Sequence, residues 1–403
     1  MVEPRWTAYS ERSVTVDTSR PRCAEWTPDR GWLFTVLPLW IDRSMSSSGD
    51  RDPVAGAATM GRTAEAVAGA LVAARFLPIW LAMAALLVVA ALFAPNTLEN
   101  TSWSYILPYG TILAIAALGQ MLVVMQAGID LSTAGVISLC GNVLVGVSVG
   151  SDHGLTVGIL VCLGLGALVG FVNGILVGIV RLNPLIVTLA VGLVVLAYSS
   201  KYAREHTISL QVPESLSSWA AQKPLGISAV FWTGAALAVA VALVLRYTAA
   251  GRRFQAVGAN PRAAWMAGLR VRSHVVFAYT AAGVLYSFAA ILLAGVRISI
   301  DPAFGASYLL APIAAVVLAG AALSGGLASA TSTWVAAIAL TFLTQMLLIF
   351  GLSAALQFIV FGAAIIVGML VSGDRVASLL GRVLRTMETR SGGGKRTVNE
   401  VTS

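Results

Sequence analysis

From residue 77 onward, long apolar runs alternate with short polar breaks, and the runs recur at bilayer-crossing length. A hydrocarbon core is crossed by about 20 consecutive apolar residues in helical form. On that template the pattern predicts helical spans at 77–94, 105–127, 132–150, 155–180, 184–200, 225–245, 274–296, 308–328, 331–350 and 354–372. The fold class is therefore an all-α polytopic membrane protein of about ten transmembrane helices. The run at 184–200 is short enough that a re-entrant segment also fits it. Residues 1–75 break the pattern. They are polar, and their one apolar stretch, Gly31 to Ile41, is too short to span and lacks a small-residue cleavage site. They read as a disordered cytoplasmic extension, or in part as sequence ahead of a true start at Met45 or Met60. The transmembrane domain is then 76–373, followed by a basic cytoplasmic tail at 374–403.

Charge orients this array. The segment 246–273 carries Arg246, Arg252, Arg253, Arg262, Arg270 and Arg272 without one acidic residue. Short basic loops beside spans stay in the cytoplasm. An even number of spans puts both termini on that same side, where Arg62, Arg75, Arg375, Arg382, Arg385, Lys395 and Arg396 also fall. The loop 201–224, mixing Lys201, Arg204, Glu205, Glu214 and Lys223 with prolines, faces outward as an ordered ledge or a solvated connector. Within the basic loop, Asn260 suits an N-cap, Pro261 the first helical position and Gly268 a left-handed terminator. A short capped helix at the cytoplasmic face suits the docking of another protein.

Composition closes off other classes. Charged residues are 11% of the chain, hydrophobic ones 58%, and the mean hydropathy is +0.84. A soluble protein of this length needs far more charge at its surface. The net charge of +8 sits in loops and tails beside spans, which is a topology signal and not a nucleic-acid footprint. Cys23, Cys140 and Cys162 have no metal-ligand spacing and form no disulfide framework. No phosphate-binding loop, HExxH or GxSxG is present, and His153, His206 and His274 lie at span edges or in loops. No catalytic residue and no metal site is predicted, and no cofactor is expected on this chain.

The polar positions inside spans are few. Asp130 is the only charged residue between Glu99 and Asp152. A carboxylate at mid-membrane costs roughly 2.5–3.5 kcal/mol on the insertion scale, so it must lie near an interface or be satisfied by partners. With Gly128 and Ser132 beside it, Asp130 fits a tight cytoplasmic turn, the favoured reading, or a helix interrupted within the interior. Gln120, Asn142, Asn173, Gln345 and Gln357 fit either a pathway wall or inter-helix hydrogen bonding. The candidates for a translocation path are Gln120, Asp130, Ser132, Asn142 and Asn173. Gly166, Gly170, Gly174 and Gly178 recur every fourth residue, a stripe that permits close helix approach.

Four of these segments, in order, resemble the permease subunits of bacterial ABC importers for ribose, xylose and related monosaccharides. Gly128-Ile-Asp-Leu-Ser132 resembles a signature of that family. So does the stretch 171–190 through Asn173, Gly174, Pro184, Ile186, Thr188 and Leu189. The stretch 251–271 resembles the cytoplasmic segment that docks on the ATPase, and 313–326 an Ile-Ala-Ala…Gly-Gly element. The chain departs from the pattern at Tyr308-Leu309-Leu310-Ala311-Pro312, where acidic residues are usual, and at Ala319 and Ala328. The resemblance implies a half-transporter that works as a homodimer or heterodimer with a second permease copy. It also implies an ABC ATPase subunit that binds ATP and Mg, and an extracytoplasmic sugar-binding protein. Asn260, Pro261, Ala263, Ala264, Gly268 and Arg252 would form the ATPase-coupling element in the bacterial inner membrane. The competing readings are a self-contained secondary transporter, for which only Asp130 could bind the coupling ion, and a related permease for branched-chain amino acids or nucleosides.

Overall fold

The computed structural model describes residues 76–149, 151–206, 211–297 and 299–352, with further helical residues between 355 and 366. The extension at 1–75, the tail at 374–403, Gln357 and most of the tenth predicted span lie outside the described residues. Within them the chain is all α-helical, without strands. Among the described residues, seven helices are long and apolar enough to cross a membrane.

In chain order the helices are α1 (Phe76–Phe93), α2 (Asn100–Met125), α3 (Thr133–Ser148), α4 (Leu155–Gly174), α5 (Pro184–His206), α6 (Glu214–Ala221) and α7 (Ala229–Tyr247). They are followed by α8 (Ala249–Ala259), α9 (Pro261–Met266), α10 (Val271–Val296), α11 (Ala311–Leu318) and α12 (Ala330–Ile349). α4 runs on through a π-helical turn, Ile175–Ile179. α2, α3 and α10 form the centre, with α11 and α12 against α2, and one apolar cluster runs through them. α1, α5 and α7 turn apolar side chains such as Leu92, Val194 and Leu243 outward. Hydrocarbon demands that of a lipid-facing surface, because all the backbone polar groups are already paired within helices. The chain is a multi-pass membrane protein.

The glycine stripe of α4 lies directly on α10. A Cβ at Gly166 would collide with Ser287 Oγ and the Gly283 carbonyl, and one at Gly283 would collide with the Gly166 carbonyl. Gly170 and Gly174 abut the backbones of Tyr279 and Val276 in the same way. Lipid gives helices no hydrophobic drive to associate, so backbone-to-backbone packing of this kind supplies the attraction. Cys140 and Cys162 are buried where α3 meets α4, each thiol directed at the other residue's carbonyl.

Three predicted spans take a different form. The segment at 184–200 is no re-entrant loop: α5 reaches His206, because Lys201, Arg204 and Glu205 prolong the helix beyond the apolar stretch. The predicted span 132–150 is only the 16-residue α3. The predicted span 308–328 is broken, since α11 ends at Leu318 and Gly320, Gly325 and Gly326 take positive φ in an irregular stretch before α12. The connection after α5 contains an ordered helix, α6, tied to the start of α4 by Asp152, which accepts from Ser215 N–H and Oγ.

Candidate functional site

Two features stand out, a buried break between α2 and α3 and a two-helix platform on the arginine-bearing face. α2 closes at Gln126 and Ala127, whose N–H groups bond back to the Val123 and Val124 carbonyls, and Ala127 takes φ 57°. The chain then runs from Gly128 to Ser132 without regular structure yet largely buried, with Asp130 only 1% exposed. Such backbone must find its hydrogen bonds in tertiary partners. Thr188 of α5 supplies one, its Oγ1 accepting from Leu131 N–H at 3.0 Å, and Gly192 packs against Ser132. Gln120 supplies two. In the orientation that satisfies both ends of its amide, the oxygen accepts from Asp130 N–H at 3.1 Å and the nitrogen donates to the Asp130 carbonyl at 3.0 Å.

The Asp130 carboxylate turns back on its own segment. Oδ1 accepts from Ser132 N–H at 2.8 Å and from Ser132 Oγ at 2.6 Å. Ser132 Oγ in turn accepts from Asn173 Nδ2 at 2.9 Å, which brings α4 into the cluster. Tyr279 and Tyr286 of α10 close the other side, the Tyr279 hydroxyl lying hard against Gly128. The interrupted-helix reading of Asp130 thus describes the geometry better than a cytoplasmic turn. The turn itself is at Ala127, and Asp130 lies beyond it in the interior, about 8 Å along the axis from the end of α2 if judged by Gln120.

Gln120, Asp130, Ser132, Asn142 and Asn173 are each at most 1% exposed, and in this conformation none of them faces an opening. Four of the five meet at the break. Asn142 stands apart, its amide reaching the Ser138 carbonyl, Ser199 Oγ and the Pro302 carbonyl. Gln345 is partly exposed on α12 and joins neither group. Sequence reasoning did not single out Tyr279, Tyr286 or Gln126. The two tyrosines are seven residues apart, and so on one face of α10, which was the available signal.

The platform begins where α7 ends. Thr248 caps α8 by accepting from Gly251 N–H at 3.0 Å, and Gln255 Nε2 donates to the Leu245 carbonyl at 2.7 Å. α8 buries Phe254, Val257 and Gly258 and leaves Arg252 and Arg253 exposed, with Arg252 also donating to the Tyr247 carbonyl at 3.1 Å. This first helix was not predicted. The second, α9, has the expected caps: Asn260 Oδ1 accepts from Ala263 N–H at 3.0 Å, Pro261 occupies the first turn, and Gly268 follows with φ 80°. Ala264 points inward, while Ala263 is exposed and Trp265 and Met266 are 72% and 75% exposed.

Platform and break are in contact. A Cβ at Gly258 would strike the Met125 carbonyl, which itself accepts from Gly326 N–H at 3.0 Å. Gln126 Nε2 reaches the Phe254 carbonyl at 3.0 Å. The end of α2, the platform and the glycine-rich stretch after α11 therefore meet at one backbone carbonyl.

All of these segments lie within the reach of one family comparison. Residues 102–369 match the family described as branched-chain amino acid transport system / permease component, well over half of the chain. The chain belongs to this permease family. Among curated proteins, the permease is 30% identical over 228 residues to the ribose import permease protein RbsC of Escherichia coli strain K12, covering 56% of this chain and 71% of that one. It is 36% identical over 211 residues to the fructose import permease protein FrcC of Rhizobium meliloti, covering 50% and 58%. It is 33% identical over 221 residues to the autoinducer 2 import system permease protein LsrC of Yersinia enterocolitica, covering 52% and 59%. No solved structure matches the permease. As a member of this family it is a transporter subunit and not an enzyme.

Proposed function

We propose that the permease is the membrane-spanning half of an ATP-driven, binding-protein-dependent importer whose cargo is a monosaccharide. The observation that carries this reading is the platform. A capped α9 presents Trp265 and Met266 outward among arginines, and the adjoining α8 meets the end of α2 through Gly258 and Phe254. An exposed tryptophan and methionine on a rigid helix form an anchor for a partner protein. The arginines support a cytoplasmic position for this face, where a nucleotide-hydrolysing subunit would hold ATP and Mg. Two permease chains would pair around the path, with a sugar-binding protein delivering cargo at the far side. The three named relatives carry ribose, fructose and autoinducer 2, whereas the family description names branched-chain amino acids. Uncharged amides and hydroxyls in the interior favour the polyhydroxylated class.

The test is uptake into liposomes holding the permease with its ATPase and binding protein. Ala263→Asp is the informative variant, because Ala263 is exposed. Ala264→Asp would bury a charge beneath α9 and perturb folding, so it separates the roles less cleanly. We expect Ala263→Asp to lower ATP-dependent sugar uptake at least about tenfold while the melting temperature holds. Normal uptake in that variant would refute the docking assignment. Gradient-driven uptake by the permease without any ATPase would favour the secondary-transporter alternative.

A further inference from the structure

The end of the bundle opposite the platform holds a group of side chains that no role described above uses. Tyr105 and Tyr109, one turn apart on α2, are stacked with ring centroids 4.3 Å apart and planes at 26°. Both are partly exposed, whereas every residue of α2 from Gly110 to Met125 is buried. The outer third of this central helix is therefore less covered than the rest, which is buried from Gly110 onward. Arg297 follows the last turn of α10 at this same end of the bundle. The Arg297 guanidinium lies 3.6 Å from Asp301 Oδ2, and it is within electrostatic reach of the Tyr105 and Tyr308 hydroxyls.

The loop after Arg297 is held from below. Asn142 Nδ2 donates to the Pro302 carbonyl at 3.3 Å, and Ser138 Oγ accepts from Gly305 N–H at 3.1 Å. Asp301 Oδ1 accepts from Ala303 N–H at 2.9 Å, which fixes the carboxylate. A half-exposed ion pair adds little to stability, so stability does not account for the placement of Arg297 near Tyr105 and Tyr308. Nor is this an interfacial belt of lipid-facing aromatics, since Tyr308 is only 8% exposed and both Tyr308 and Tyr109 pack with the main core.

We propose that Tyr105, Tyr109, Tyr308, Arg297 and Asp301 form a monosaccharide-binding subsite at the outer mouth of the permease, the first station for cargo leaving its binding protein. This rests on the carbohydrate reading above. A sugar ring presents a face of polarised C–H groups that packs on an electron-rich aromatic face, and a rim of hydroxyls that both donate and accept. Arg297 offers donors only, Asp301 acceptors only, and the phenols both, so the group matches such a rim without carrying net charge. The floor at Tyr109 would hold the sugar until the bundle rearranges.

The experiment is uptake of D-ribose, D-fructose, D-xylose and L-leucine by the complete assembly in liposomes, as a function of loaded binding protein. The variants are Tyr109→Ala, Tyr109→Phe, Arg297→Gln and Asp301→Asn. For whichever sugar the wild type carries, Tyr109→Ala is expected to raise the half-saturating concentration or cut the maximal rate by about tenfold, with Tyr109→Phe recovering most of the loss. Arg297→Gln and Asp301→Asn, on half-exposed side chains that leave the core intact, are expected to impair uptake several-fold. They decide the matter if Tyr109→Ala does not fold. Unchanged uptake in these variants overturns the subsite, as does a defect that excess binding protein abolishes, which would make the tyrosines a docking surface. If the wild type carries sugar and the variants match it, only the subsite falls. If it carries L-leucine and no sugar, the carbohydrate reading falls and the subsite with it.

Discussion

Gln126 donates its side-chain amide to the backbone carbonyl of Phe254 across 3.0 Å, tying the last turn of α2 to the platform helix α8. The bond joins residues 128 positions apart in sequence, beside the contact of Gly258 with the Met125 carbonyl. Gln126→Leu keeps the volume and removes the donor. One lost hydrogen bond at a partly buried site is worth about 1 kcal/mol, too little to unfold the bundle. The expected outcome is a melting temperature within a few degrees of wild type and a several-fold fall in sugar moved per ATP hydrolysed, measured in liposomes with the partner ATPase.

Thr188 is expected to matter through its oxygen. Thr188→Val is nearly isosteric but leaves Leu131 N–H, at the break, without its acceptor. An unsatisfied buried donor costs about 1–3 kcal/mol, so thermal unfolding should shift downward. Thr188→Ser restores the acceptor and should recover most of the shift. Equal melting temperatures for the Val and Ser variants would show that the bond does not hold the break.

At Asp130 the two classes of transporter make opposite forecasts. Only Oδ1 is engaged, and Asn can offer an oxygen to Ser132 in the same place. If the residue braces the break, Asp130→Asn retains ATP-driven uptake within about threefold, while Asp130→Leu loses the bonds to Ser132 and destabilises the fold by about 2 kcal/mol or more. If it binds a coupling ion, the Asn variant is inactive. Uptake assays and melting curves on both variants separate the cases.

The contact between α4 and α10 has a built-in control. Gly166→Ala drives a methyl into Ser287 and the Gly283 carbonyl, and backbone cannot yield as a rotamer can. Overpacking of this kind costs about 1–3 kcal/mol. Gly164, two residues away on the open face, has nothing within 4 Å of an added Cβ. Gly164→Ala should therefore be neutral or slightly stabilising, since alanine is the better helix former. Tryptophan fluorescence melts in detergent would show the difference.

Much of this arrangement could be read from the residues, for local reasons. Hydropathy locates the lipid-crossing runs because the bilayer enforces their length, and the Gly166–Gly178 stripe is visible because helical periodicity puts it on one face. Asn260, Pro261 and Gly268 are legible as caps because capping depends on neighbouring backbone alone. The breaks are legible only in part. Gly128, Asp130 and Ser132 mark an interruption after residue 127, whereas 308–328 reads as one continuous span. What permits irregular backbone at both is a set of partners remote in sequence: Thr188 and Gln120 for one, the Met125 carbonyl for the other. The length of α5 was hidden for the opposite reason, since its last turns carry charges that a hydropathy window counts as loop. α8 was missed because its buried face is short, with Phe254 and Val257 its only large members.

The meeting of Met125, Gly258 and Gly326 has a mechanical consequence. Three segments of main chain touch there, so a side chain on Gly258 or a shift of α8 bears directly on the last carbonyl of α2. Main chain has no rotamers to swing aside, much as a key seated in its slot leaves little play between shaft and wheel.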